Sequence, residues 1–138
     1  MLKQLFLMHP TQDHSEALIE QSIRQAKLLD DKFAADETFL HVILCSPSPQ
    51  AQKMAKIIAA KFSLRHWPIP VETIASLDGY DGAPDREKDI RALQDIDCAM
   101  QQHSVVLAVT DPLRVEGISR TLDQYVRLKN ADTITSSP

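Results

Sequence analysis

No property of this chain narrows its fold as far as the alternation of four short strand-like runs, residues 5–8, 39–45, 70–74 and 105–109, with longer segments of helical period. Near-continuous apolar runs of this length suit strands covered on both faces, as parallel strands are. The order β-α-β-α-β-α-β-α therefore predicts a three-layer α/β/α domain with a mainly parallel sheet. In such sheets ligands sit at the carboxyl ends of the strands. The segments that begin there, at His9, Ser46, Ser76 and Thr110, are the places to look for function.

The helical segments carry their own start signals. Asp13 and Glu16 form a D-x-x-E capping pattern before a stripe of Ile19, Ile23, Ala26, Leu29 and Phe33. The Ser-Pro-Ser-Pro stretch at 46–49 opens a second helix with Ala51, Met54, Ala55, Ile58 and Phe62 inward. A third spans 85–102, with Ile90, Leu93, Ile96 and Met100 inward, and its charged start, 85–89, reads as a solvated face. Asp111 followed by Pro112 opens a fourth, striped by Val115, Ile118, Leu122, Tyr125 and Val126. Residues 1–129 are expected to form one domain, and the polar stretch 130–138 a flexible tail.

Composition removes several classes of function. A chain of 138 residues buries about 70% of its unfolded surface, which supports one core without staples. Its 15 Lys and Arg against 19 Asp and Glu give a net charge of −4, with the signs interleaved, so nucleic acid and anionic membranes are not expected partners. Three glycines, at 79, 82 and 117, cannot form a dinucleotide fingerprint or a Walker loop, and no cofactor is expected. No apolar stretch approaches the roughly 20 residues of a membrane span, and the first residues lack a signal-peptide core. A cytoplasmic protein is the expectation. Cys45 and Cys98 read as buried thiols, and His14, His41, His66 and His103 lack metal-site spacing, so no metal is expected.

Three loops carry a resemblance. Leu5-Phe6-Leu7-Met8-His9, then Val42 to Ala51 with its Ser46-Pro47-Ser48-Pro49-Gln50-Ala51, then Val105 to Pro112, come in the same order as the active-site segments of the histidine phosphatase superfamily. The likeness covers residues 2–126, and in length the chain resembles the short bacterial phosphohistidine phosphatases. It implies a phosphoglycerate-mutase-like fold, a histidine nucleophile that becomes a phosphohistidine, and arginines and a second histidine around the phosphoryl group. A carboxylate in the third loop would be the general acid.

The departures fall on the chemistry. With His9 matched to the nucleophile, Met8 replaces an arginine and Pro10 a glycine, Gln50 replaces the second arginine, and Asp111 the second histidine. Each lost charge-assisted contact is worth roughly 1.5–3 kcal/mol. The resemblance thus implies His9, Asp111 and Asp78 as candidate catalytic groups, with Tyr80 and Asp81 beside Asp78 as other candidate acids. Ser46, Ser48, Gln50 and Arg114 are candidate anion-binding groups. Each also has a plainer role: His9 as a bonded loop residue, Asp111, Ser46 and Ser48 as helix caps, Asp78 and its neighbours as a solvated turn. The function expected is that of a divergent, catalytically impaired histidine-phosphatase-like protein with a binding or regulatory role at this crevice. The alternative is an active phosphomonoesterase with His9 as nucleophile. Partners of the expected kind are a phosphorylated small molecule or a phosphoprotein. A flavodoxin-like strand order with a mononucleotide in the crevice is a third reading, disfavoured by the absence of a Ser/Thr/Gly-rich loop after the first strand.

Overall fold

The computed structural model describes residues 3–10, 15–36, 39–63, 68–129 and 134–137. The elements are β1 (Lys3–Met8), α1 (Ser15–Asp36), β2 (Val42–Cys45), α2 (Pro49–Ser63), β3 (Val71–Thr73), a 3-10 turn (Ala75–Leu77), α3 (Arg86–Gln102), β4 (Val105–Val109), α4 (Pro112–Lys129) and β5 (Ile134–Ser137). The domain is α/β with a parallel sheet between two helical layers. The strand order is β3-β2-β4-β1-β5, with every pairing parallel. It is not the 2-1-3-4-5 order of flavodoxin-like sheets. The stretch expected as a flexible tail contains β5, which extends the sheet beyond β1. Asp13, the expected cap of α1, lies outside the described residues.

Every residue of β2 and β4 is buried, because strand alternation sends their side chains into two separate cores. Phe6, Met8, Ile43, Cys45, Leu107 and Val109 pack with α1 and α2. Leu5, Leu7, Val42, Leu44, Val106 and Ala108 pack with α3 and α4. Phe33 of α1 links the first layer, meeting Phe6 edge-on at 5.4 Å and Phe62 of α2 at 5.8 Å. Right-handed crossovers require this division. The chain moves one way across the sheet through α1 and α2, and the other way through α3 and α4.

The helical stripes hold in α2, where all five expected residues are buried. In α1 the buried stripe is Leu18, Ser22, Ala26, Leu29 and Phe33, while Ile19 and Ile23 are exposed. Ser22 is accommodated because its hydroxyl donates to the Leu18 carbonyl at 2.7 Å. In α3, Ile90 is only half-buried and Cys98, expected inside, is exposed. In α4, Ile118 and Leu122 are buried and Val115 half-buried; the side chains of Tyr125 and Val126 lie outside the described residues.

The register matters most for function. Met8, Val109, Cys45 and Thr73 stand in one row across β1, β4, β2 and β3. The last rungs run from the Thr110 N–H to the Met8 carbonyl and from the Ser46 N–H to the Val109 carbonyl. Four strands thus end level, and the loops that leave them emerge at the same height.

Candidate functional site

Helices leave this row in opposite directions, α1 and α2 toward one face and α4 toward the other, which opens a crevice above β1, β4 and β2. A cavity of about 430 Å³ lies there, lined by Pro10, Ser46, Ser48, Gln50, Asp78, Gly79, Asp111 and Pro112. The structure therefore brings together five of the residues singled out in the sequence: Ser46, Ser48, Gln50, Asp78 and Asp111.

The start of α2 forms one wall. The Ser48 hydroxyl accepts the Ala51 N–H, capping the helix, and the Ser46 hydroxyl accepts the Ser48 N–H at 3.2 Å. Ser46 is wholly covered, so it shapes the floor while Ser48 and Gln50 face the opening. Beneath the floor, burial pushes the Cys45 thiol above its ordinary value, and the nearby Thr73 hydroxyl offsets only part of this. Cys45 is therefore held as an inert neutral thiol.

The start of α4 forms the opposite wall. The backbone carbonyl of Asp111 accepts the N–H groups of Arg114 and Val115, each at 3.0 Å. Its carboxylate has no hydrogen-bond partner among the described residues. The side-chain cap expected of Asp111 is thus not formed, and the carboxylate lines the cavity instead. Across from it, Asp78 accepts the N–H of Gly79.

Two candidates lie elsewhere. His9 is exposed and outside the cavity lining, with its Nδ1 at 3.4 Å from the Pro10 carbonyl. Arg114 is fully buried, where an oxyanion partner would have to be open to the crevice. Its Nε donates to the Asp89 carboxylate at 3.1 Å, its Nη1 to the Asp78 carbonyl and its Nη2 to the Lys88 carbonyl. Tyr80 lies against the guanidinium, 5.0 Å from the ring centre, and gives its hydroxyl to Asp89. Burial, then the hydrogen bond and charge of Asp89, push the Tyr80 phenol up to about 12. The Tyr80 hydroxyl thus keeps its proton and is committed to Asp89, away from the cavity lining, and Asp81 is exposed outside that lining as well.

The charged start of α3 reads in sequence as a solvated face, but Asp89 within it is buried. The signal for this was its position, one turn before Leu93 on the inward face of α3. Gly117 makes the arrangement possible, because a Cβ there would lie 1.9 Å from the Tyr80 hydroxyl. Lys88 completes the clamp by donating to the Gly79 carbonyl at 2.7 Å, and Thr110 donates to the Leu77 carbonyl. Three successive carbonyls, of Leu77, Asp78 and Gly79, are each held by a side chain from another element. The loop that carries Asp78 is thereby fixed against the row of strand ends.

Among the described residues no group of three or more His, Cys, Asp or Glu side chains could hold a metal ion, and no helix is long and apolar enough to cross a membrane. His14 and His66 lie outside the described residues. Comparison of the chain with protein-family models, with curated proteins and with solved structures gives no match.

Proposed function

We propose that this chain is a divergent histidine-phosphatase-like protein that binds a small polar molecule in the crevice at the strand ends and does not turn over phosphoesters. The observation that carries this reading is the charge of the cavity. Asp78 and Asp111 line it, and no Lys or Arg does among the described residues. A carboxylate 4 Å from a phosphate charge costs about 1 kcal/mol in water and about 4 kcal/mol at the effective dielectric of a protein surface. Arg114, the cation nearest in sequence, already neutralises Asp89. The lining favours a neutral or cationic molecule rich in hydrogen-bond donors, such as an amine or a polyhydroxyl compound, over a phosphoryl group.

The alternative of a phosphomonoesterase keeps one supporting observation. His9 is exposed and adjoins Pro10, which lines the cavity. A panel of phosphomonoesters and a phosphohistidine peptide, assayed with the protein and with His9→Ala, separates the two. Background rates in both are expected; turnover that His9→Ala abolishes would overturn the binding reading. In parallel, titration with ethanolamine is expected to shift the amide resonances of Ser48, Gln50 and Asp111, and inorganic phosphate is not. Asp78→Asn with Asp111→Asn should erase the ethanolamine response.

A further inference from the structure

At the other end of the sheet, β4 begins with the N–H of a buried residue that no backbone carbonyl among the described residues accepts. Val105 is 1% exposed, and an unpaired N–H in such a place is costly. The His41 N–H donates to the Val105 carbonyl at 3.1 Å, just ahead of the parallel ladder in which Val42 pairs with Val106. The next acceptor in that ladder would be a backbone carbonyl two residues earlier, where the chain has not yet joined the sheet. The His41 side chain takes its place: its Nδ1 accepts the Val105 N–H at 3.0 Å.

We propose that His41 is a proton-sensitive latch, which completes the first rung between β2 and β4 when its imidazole is neutral and releases that rung when it is protonated. The chemistry comes from the donor. A backbone N–H cannot accept, so Nδ1 must carry the lone pair, and the neutral ring must keep its proton on Nε2. A second proton on Nδ1 would face the Val105 N–H, turning an attraction between two strands into a clash of donors. His103, in the turn between α3 and β4, stacks on His41 with ring centres 6.4 Å apart, so positive charge there opposes a proton on His41.

The elements joined by the latch bring no opposing charge. β2 reads Val-Ile-Leu-Cys, with its thiol at the far end, and β4 is entirely apolar. His103 is the titratable group whose charge acts on His41. It lines a groove together with Glu72 of β3 and with Asp95 and Cys98 of α3, and His41 is not part of that lining. Burial first, and His103 second, hold the His41 pKa below its ordinary 6.5. As pH falls past 6.5 the unfolded chain takes up this proton before the folded one does. The latch's contribution is therefore complete above that value and is lost as pH falls through the lower folded one.

The test is a histidine titration by NMR on the full chain, read together with hydrogen exchange at the Val105 amide. The expected results are a His41 midpoint below 6.5, the Nε2–H tautomer above it, and a fall in Val105 protection as pH drops from 6.5 to that midpoint, about tenfold for each pH unit of that interval and level below it. His103→Gln should raise the His41 midpoint. His41→Asn, which keeps an acceptor but cannot titrate, should remove the pH dependence of Val105 protection between pH 7.5 and 5. A His41 midpoint at or above 6.5, an Nδ1–H tautomer, or Val105 protection indifferent to the titration would overturn the proposal. The midpoint, the tautomer and Val105 exchange are all read on the unaltered chain, so they decide the matter even where His41→Asn does not fold.

Discussion

Arg114 heads the wholly covered side chains in volume, and it is also the residue whose role the sequence least reveals. One turn into α4 it reads as a cation poised over an anion site. In the folded chain its charge is matched by Asp89, 25 positions earlier, and its remaining donors hold the Asp78 and Lys88 carbonyls. No local pattern links Arg114 to Asp89, since the pair forms only when α3 and α4 pack on the same face of the sheet. The partner's burial was nonetheless readable, because Asp89 shares its helical face with Leu93, Ile96 and Met100. Removing one member of a buried ion pair strands the other, at a cost of about 3–5 kcal/mol, whereas removing both is far less harmful. Arg114→Met is therefore expected to lose about that much stability in urea denaturation. Adding Asp89→Asn should restore most of it. A double variant no better than Arg114→Met would mean that the guanidinium stabilises chiefly by holding the loop carbonyls.

At the scale of elements, what separates legible helices from misread ones is whether their period admits a single answer. In α2 every apolar position fits one stripe, and all of it is buried. In α1, Leu18 and Ile19 are neighbours, and either can lead to Ala26, Leu29 and Phe33 at helical spacing. Ser22 makes the true stripe look polar, although a serine bonded to the carbonyl four residues back can be buried without an unpaired group. Helix starts are legible where the cap is a side chain: Asp85 accepts the N–H groups of Glu87 and Lys88, and Ser48 that of Ala51. At Asp111 the same residue type and the proline after it give the right boundary for α4 but the wrong job for the carboxylate. Asp85→Ala should therefore destabilise by about 1 kcal/mol, within the usual range of roughly 0.5–2 kcal/mol for a cap. Asp111→Ala should cost clearly less, in spite of its equivalent position. Paired thermal denaturation of the two variants checks this, and an equal loss would show that the Asp111 carboxylate caps α4 in solution.

Over the whole molecule, the strand-helix alternation fixes the layers, and level strand ends make the crevice predictable without any knowledge of its chemistry. Five candidates converge there because their loops start from one row of the sheet, which is a property of register rather than of any motif. What the alternation could not show was how the sheet ends beyond β1. The segment Ile134–Ser137 is short and polar, with none of the apolar continuity that marks the other strands, since an edge strand need not be covered on both sides. Its pairing nevertheless makes β1 an interior strand, matching Lys3 with Ile134 and Phe6 with Ser137. A chain ending at residue 129 would leave the outer N–H and C=O groups of β1 open along an edge that carries Leu5, Phe6 and Leu7. Such an edge is a template for pairing with another chain. The shortened chain should lose amide-exchange protection in β1 while β2 and β4 keep theirs, and its sedimentation should shift toward dimers as concentration rises. If 130–138 were instead a free tail, both chains would show the same β1 protection and the same sedimentation.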